Sequence, residues 1–436
     1  MTPIYVALIS LLVLFVLLLC RMPVALVMLV VGMSGYAYLT SISSALSMSA
    51  LTVYSTFTEY SLIVIPLFVW MGFVAFYSGL SGKLYDVSYQ LVGGMPGGLN
   101  MATIGACTAF GAICGSTTAT AATMSAVALP EMKRYGYEQS FATATIAAAA
   151  ILGVMIPPSV IFILYGVSTG VSIELLFLAG IIPGLFLTGF FMLTAYIKSR
   201  RNPSMAPAGP AVSLKKKCKV AFSGGLEVVV IFLIVMGGLL FWGWFTPTEA
   251  GAVGVCATLA VAIIRKSLSW QAFLNSLNDT VRLTAMILFL TATAEVYGNF
   301  LGRTGIPETL ANLAIEAPFS PMVVLVFVLL VYLVLGFFID ALALILMTTP
   351  IFFPVALALD FDPVWFGVII VLALGMGVIT PPVGANVYVV AGVAKDIDVM
   401  DIFKGIWPYL LAIFLCLALL MAFPQIALFL PELAVK

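Results

Sequence analysis

A short apolar segment ending in two consecutive prolines occurs twice in this chain. One copy is Gly153-Val154-Met155-Ile156-Pro157-Pro158-Ser159; the other, Gly377-Val378-Ile379-Thr380-Pro381-Pro382-Val383, follows 224 residues later. Proline has no N–H and its ring clashes with the preceding turn, so a helix carrying a Pro-Pro pair must open there. In a bilayer the freed carbonyls need a partner, which a cation or a substrate can supply. The same displacement relates Pro23 to Pro247, Ser116 to Asp340, Pro130 to Pro354, Tyr137 to Phe361, Glu138 to Asp362 and Phe141 to Trp365. Near the ends, Gly180-Ile181-Ile182-Pro183 answers Gly405-Ile406-Trp407-Pro408 with a slip of one residue. A register held from Pro23 to Pro408 predicts an internal duplication.

Composition sets the solvent. Of 436 residues, 63% are hydrophobic and only 8% charged, which predicts a polytopic membrane protein embedded in a lipid bilayer. Residues 2–20 are apolar, with no basic residue before them and no small-residue cleavage site near Arg21, so they read as a retained helix. The chain has no histidine, which removes the commonest general base and metal ligand together. The six cysteines are scattered without a CxxC pair and read as small apolar residues. No paired carboxylates or Ser/Lys constellation stand at helical spacing, so an enzyme is not expected, nor is a nucleic-acid partner.

Each half reads as one series. A first span covers about 3–20 or 226–243, and a second, after a proline break, about 24–40 or 248–264. An amphipathic stretch follows at 41–60 or 267–281, the latter with Trp270, Phe273, Leu274 and Leu277 on one helical face. A third span is expected at about 62–78 or 283–301, then a short Gly/Pro-punctuated connector. Next come an apolar stretch broken midway (about 99–131 or 320–356), the Pro-Pro helix (about 139–168 or 363–393) and a last span (about 175–197 or 405–424).

The broken stretches centre on Gly111-Ala112-Ile113-Cys114-Gly115-Ser116-Thr117-Thr118 and on Gly336-Phe337-Phe338-Ile339-Asp340. Small or capping residues midway through an apolar run suggest two half-helices meeting at the tip of a re-entrant hairpin, with Ser116 and Asp340 as N-caps. The alternative is one tilted helix with a polar kink. Charge decides. If the hairpins do not cross, each half has five crossings and the halves are inverted. With the basic segment 198–219 in the cytoplasm, sixteen of the 18 basic residues then lie inside, leaving only Arg303 and Lys436 outside. Full crossing would move Lys133 and Arg134 outward and blur that asymmetry. Both termini are therefore expected in the periplasm.

Two tips entering from opposite faces would meet two opened helices near the midplane. A half-helix N-terminus attracts an anion, and freed carbonyls attract Na⁺. The arrangement suits coupled uptake of an organic anion with Na⁺. Asp340 reads best as a cap beside a cation site; ligation or proton relay are the alternatives. Glu295 either couples ions or contacts a neighbouring helix or subunit. Thr117, Thr118, Thr120 and Thr123 divide between substrate contacts and bonds to their own helix. Asn386 stands just beyond the second break, within reach of a ligand.

Gly243-Trp244-Phe245-Thr246-Pro247-Thr248-Glu249-Ala250-Gly251 resembles the Phe-Thr-Pro-Thr-Glu-Ala motif of the large membrane subunit of tripartite ATP-independent periplasmic (TRAP) transporters. Phe110 to Ser116 followed by Ala119-Thr120-Ala121 is similar to that family's first hairpin tip, and the two Pro-Pro segments to its two opened helices. The resemblance covers essentially the whole chain. It implies an all-α polytopic membrane protein of the ion transporter superfamily: an inverted-repeat, elevator-type transporter with two re-entrant hairpins and two discontinuous helices. It further implies a small membrane subunit as a separate chain, a periplasmic substrate-binding protein, and a bacterial inner-membrane location. The substrates it implies are organic acids such as C4-dicarboxylates, sialic acids and keto acids.

Carried over by motif, Na⁺ would be held at Gly115, Ser116, Gly153, Ile156 and Pro158, and at Gly336, Asp340, Gly377, Thr380 and Val383. Substrate would meet Ser116, Thr117, Pro157, Ser159, Asp340, Pro381, Gly384 and Asn386. Cys114 stands where the motif leads one to expect a small hydroxyl residue. Residues 1–200 would form the first repeat, 201–224 a cytoplasmic linker and 225–436 the second repeat. Scaffold helices are expected at about 1–60 and 225–282, and transport elements at about 61–200 and 283–436. The competing readings are a self-sufficient Na⁺- or H⁺-coupled carboxylate carrier or antiporter, and an ion channel.

Overall fold

The computed structural model describes residues 2–209, 226–238 and 243–434, and among them there is no strand. The first half runs α1 (Pro3–Leu19), α2 (Val24–Leu39), α3 (Ile42–Thr58), α4 (Val64–Tyr77) and α5 (Leu80–Val92), followed by α6 (Gly98–Cys114) and α7 (Thr117–Arg134). It continues through α8 (Gln139–Ala149), the single turn α9 (Leu152–Met155), α10 (Val160–Thr169) and α11 (Ile173–Arg201). The second half repeats the order with α12 (Leu226–Met236), α13 (Pro247–Ile264), α14 (Trp270–Thr304), α15 (Ile306–Glu316), α16 (Pro321–Gly336) and α17 (Ala341–Ala358). It ends with α18 (Pro363–Gly377), α19 (Ala385–Val393), α20 (Val399–Ala422) and α21 (Gln425–Ala434). Among the described residues, six helices are long and apolar enough to cross a bilayer, or seven if the bent pair 139–169 counts as one span.

Helix starts follow from local chemistry. At α13, the Thr246 hydroxyl oxygen accepts the Glu249 N–H at 3.3 Å while the Glu249 carboxylate accepts the Thr246 N–H at 2.8 Å. This is a capping box with proline at the first helical position, where no N–H is missed. The Thr-Pro-Thr-Glu segment is thus a helix-start signal. At α14, Ser269 accepts the Ala272 N–H, and at α18 Asp362 accepts both the Val364 and Trp365 N–H groups.

The structure departs from the sequence expectations in four places. The supposed connectors contain helices, α5 and α15. The amphipathic stretch at 267–281 and the third span at 283–301 are one continuous helix of 35 residues. The expected boundary at residue 282 falls within this helix. Ala341–Ala358, expected as half of a hairpin, is long and apolar enough to cross on its own. Finally, α21 follows the last expected span. The surface helix suggested for 215–219 lies outside the described residues.

Packing interleaves the halves. The second span of each half packs on the third span of the other: α2 on α14, and α13 on α4. The first contact is backbone-close, since a Cβ on Gly32 would fall 2.9 Å from Tyr297 Cα. Likewise α8 packs on α20 and α10 on α17. The linker does not leave freely after α11. Residues 202–209 strap across the end of the first hairpin, where the Glu138 N–H donates to Met205 O at 2.8 Å, the Gly209 N–H to Gly93 O at 3.0 Å and the Tyr137 hydroxyl to Pro207 O at 2.9 Å.

Candidate functional site

The first Pro-Pro helix opens between α9 and α10, with a bend of 42°. Pro157 and Pro158 cannot donate to the carbonyls four residues earlier, those of Gly153 and Val154. Among the described residues no hydrogen bond reaches either carbonyl. Ser159 then caps α10 by accepting the Phe162 N–H at 3.4 Å. The second Pro-Pro helix opens between α18 and α19, and both pairs are cis. Here the corresponding carbonyls are occupied: Gly377 O accepts the Thr380 N–H at 3.2 Å and Val378 O accepts the Asn386 N–H at 3.1 Å.

Each helix pair broken midway lies against one of these openings. Between α6 and α7, Gly115 adopts φ +63° and Ser116 caps α7, accepting the Ala119 N–H at 3.4 Å. A Cβ on Gly115 would stand 2.7 Å from Pro158 O, and one on Gly111 would stand 2.6 Å from Gly153 Cα. Between α16 and α17, Asp340 caps α17 by accepting the Leu342 N–H at 3.0 Å. A Cβ on Gly336 would stand 3.1 Å from Gly377 Cα. Both breaks thus touch their opened helices through glycine, and both expected caps form.

One cavity joins the two tips. Its volume is about 310 Å³, and its lining includes Gly115, Ser116, Thr117 and Thr118 from the first tip with Asp340, Ala341 and Leu342 from the second. Val154, Val160 and Ile161 of the first opened helix form another side. Val69 and Phe73 of α4 with Leu283, Met286 and Ile287 of α14 complete the lining. Asp340 sits deep in the fold yet is exposed, because it faces this space. The cavity therefore draws its hydroxyls, its carboxylate and two helix N-termini from the two breaks, and only apolar side chains from α4 and α14.

The remaining expected site residues fall into two groups. Gly153, Ile156, Pro157, Pro158 and Ser159 are buried directly behind the first tip. Gly377, Thr380, Pro381, Val383 and Gly384 belong to the second opening, which does not line the cavity. The Thr380 hydroxyl donates to Met376 O at 2.6 Å, and Gly384 starts α19 at φ +55°. Asn386 also lies away from the cavity: fully buried, it donates from Nδ2 to Ala147 O at 3.3 Å, tying α19 to α8. Thr120 bonds its own helix at Ser116 O, 2.7 Å away, and Glu295 accepts from the Thr56 hydroxyl at 2.7 Å, joining α14 to α3. The wall residues from Val69 to Ile287 were not legible, because an apolar side chain in an apolar span carries no mark of its neighbour.

Known transporter subunits resemble this chain along most of its length. The family model described as "Tripartite ATP-independent periplasmic transporter, DctM component" matches residues 11–426. The chain is 35% identical over 419 residues to the sialic acid TRAP transporter large permease protein SiaM of Vibrio cholerae, covering 96% of each. It is 34% identical over 384 residues to the C4-dicarboxylate TRAP transporter large permease protein DctM of Pseudomonas aeruginosa, covering 88% of this chain and 89% of that one. In fold alone it is similar to the YdaH transporter of Alcanivorax borkumensis, with a TM-score of 0.63 at 16% identity over 94% of this chain and 97% of the other. A multi-pass helical chain with this match along its length belongs to the DctM family and is the large membrane subunit of a TRAP transporter.

Proposed function

We propose that the chain imports an organic acid across the bacterial inner membrane in symport with Na⁺, by an elevator movement, from a periplasmic binding protein and beside a small membrane subunit. The observation that carries this is the cavity bounded by both hairpin tips, with Ser116, Thr117 and the first turn of α7 facing Asp340 and the first turn of α17. Helix N-termini and hydroxyls suit a carboxylate. The unbonded carbonyls of Gly153 and Val154, directly behind the first tip, suit Na⁺ as a co-transported ion. A first Na⁺ site would use Gly115, Ser116, Gly153, Ile156 and Pro158; a second would use Gly336, Asp340, Gly377, Thr380 and Val383.

The hairpins, the Pro-Pro helices and the last spans α11 and α20 form the mobile part. The static part comprises α1 to α3, α12 and α13, and it also takes the third spans. This assignment is supported by α14, whose amphipathic stretch and third span are one helix, and by α4, which packs on α13. The cavity then lies on the sliding surface, tips on one side and α4 with α14 on the other. Sixteen of the 18 basic residues lie on one face in this arrangement, which supports a cytoplasmic linker and periplasmic termini. The test is uptake in proteoliposomes with and without a Na⁺ gradient and the cognate binding protein. Uptake indifferent to both would sink the proposal.

A further inference from the structure

Resting on that reading, we propose that the cavity takes a monocarboxylate with an apolar body, in preference to a C4-dicarboxylate or a polyhydroxylated sugar acid. Its polar side chains all come from the two breaks. The hydroxyls of Ser116, Thr117 and Thr118 and the N-terminal turn of α7 can hold one carboxylate. Ser116 and Thr118 are already oriented toward each other, their hydroxyl oxygens 3.2 Å apart. The residues contributed by α4 and α14 are Val69, Phe73, Leu283, Met286 and Ile287, which offer no side-chain donor and no acceptor beyond the weak Met286 thioether.

Charge makes the selection. Among the described residues, no Lys or Arg lines the cavity, and its one carboxylate is Asp340. A second carboxylate on the substrate would therefore meet either the apolar wall, where an unpaired charge is strongly disfavoured, or Asp340, which repels it. The hydroxyls of a sugar acid would face the same wall without partners, and a site rejects polar groups it cannot pair. A branched aliphatic or aromatic body instead gains contact with Phe73, Met286 and Ile287. Each methylene accommodated in such a pocket is worth roughly tenfold or more in discrimination.

The full chain, purified and placed in lipid nanodiscs, is titrated by thermal shift with NaCl alone and then, at saturating NaCl, with phenylpyruvate, ketoisocaproate, succinate and N-acetylneuraminate. The expected result is a half-saturating concentration at least about tenfold lower for the first two acids than for the last two. Phe73→Ser and Met286→Gln should shrink that ratio, because they give the wall polar groups. Equal or tighter response to succinate or N-acetylneuraminate overturns the proposal, as does an absent response to phenylpyruvate or a ratio unchanged in both variants. A chain that shows the acid preference without responding to NaCl supports this inference and overturns Na⁺ coupling alone.

Discussion

Gly377 leaves no room for a methyl group: a Cβ there would stand 2.9 Å from Gly336 Cα, backbone against backbone. The pair joins the tip of the second hairpin to the second opened helix, as Gly111 and Gly153 do in the first half. Backbone atoms cannot swing away as a flexible side chain can, so the contact tolerates only hydrogen. Gly377→Ala and Gly111→Ala should each destabilise the fold by about 1–3 kcal/mol through overpacking and reduce uptake severalfold. Gly82→Ala and Gly189→Ala are the controls, since both are helical and nothing lies within 4 Å of their added Cβ. Those two should raise stability slightly through helix propensity. Thermal unfolding of the four variants, with uptake measured in parallel, checks the contrast.

Asn386 separates a binding role from a packing role. Its amide reaches Ala147 O from the other half of the chain, within a fully buried contact. Asn386→Ala should cost about 1–3 kcal/mol by leaving polar groups buried without their partner. The surviving folded protein should keep its substrate and Na⁺ half-saturation constants. A selective rise in substrate KM with unchanged Tm would contradict this placement.

Asp340 is a cap whose charge also faces the cavity. Asp340→Asn retains an oxygen for the Leu342 N–H and should leave stability close to that of the parent, while Asp340→Ala removes the cap and should cost about 0.5–2 kcal/mol. If its charge also attracts Na⁺, both variants should weaken Na⁺ dependence alike, although only one weakens the fold. The two readouts, Tm and Na⁺ half-saturation, are therefore expected to separate.

How much of this was readable beforehand depends on where the signal resides. The Pro-Pro openings and the Ser116 and Asp340 caps were legible because proline, glycine and capping residues act on their own backbone, within four residues. The continuous α14 was not. A polar stretch and an apolar stretch in sequence look like two elements, yet no breaker separates Val281 from Leu283, so the helix runs through. The contact of Asn386 was not legible because its partner, Ala147, is distant in sequence and unmarked in type. The apolar cavity wall was hidden for the same reason, since lipid-facing and cavity-facing apolar residues have one composition.

Lys133 and Asp396 form an ion pair at 2.7 Å that links the end of α7 to the segment after α19, with both side chains largely exposed. The Lys133 ammonium holds the Asp396 carboxyl below its usual range. A carboxyl depressed in the folded state contributes above its unfolded pKa, and that contribution is lost as pH falls through the folded value. Any effect therefore belongs to the acid limb of a pH–stability profile. Because water and salt screen exposed pairs, Asp396→Asn should leave Tm at neutral pH unchanged within error and insensitive to added salt.

The two Pro-Pro openings look alike in sequence but differ in what they leave free, and this yields a directional prediction. At the first, the carbonyls of Gly153 and Val154 have no donor among the described residues; at the second, Gly377 O and Val378 O already accept N–H groups from Thr380 and Asn386. Replacing Pro157 and Pro158 with alanines supplies two N–H groups where carbonyls are open, so the helix can close and consume the oxygens offered to Na⁺. The same change at Pro381 and Pro382 supplies donors to carbonyls already engaged and has less to remove. Losing one carbonyl ligand at a cost of about 1.5 kcal/mol corresponds to roughly tenfold weaker binding. Pro157→Ala/Pro158→Ala should therefore raise the Na⁺ half-saturation constant for uptake by about tenfold or more, and Pro381→Ala/Pro382→Ala by clearly less. Equal losses in the two double variants would show that the openings contribute alike, and that the freed carbonyls of the first do not set the coupling.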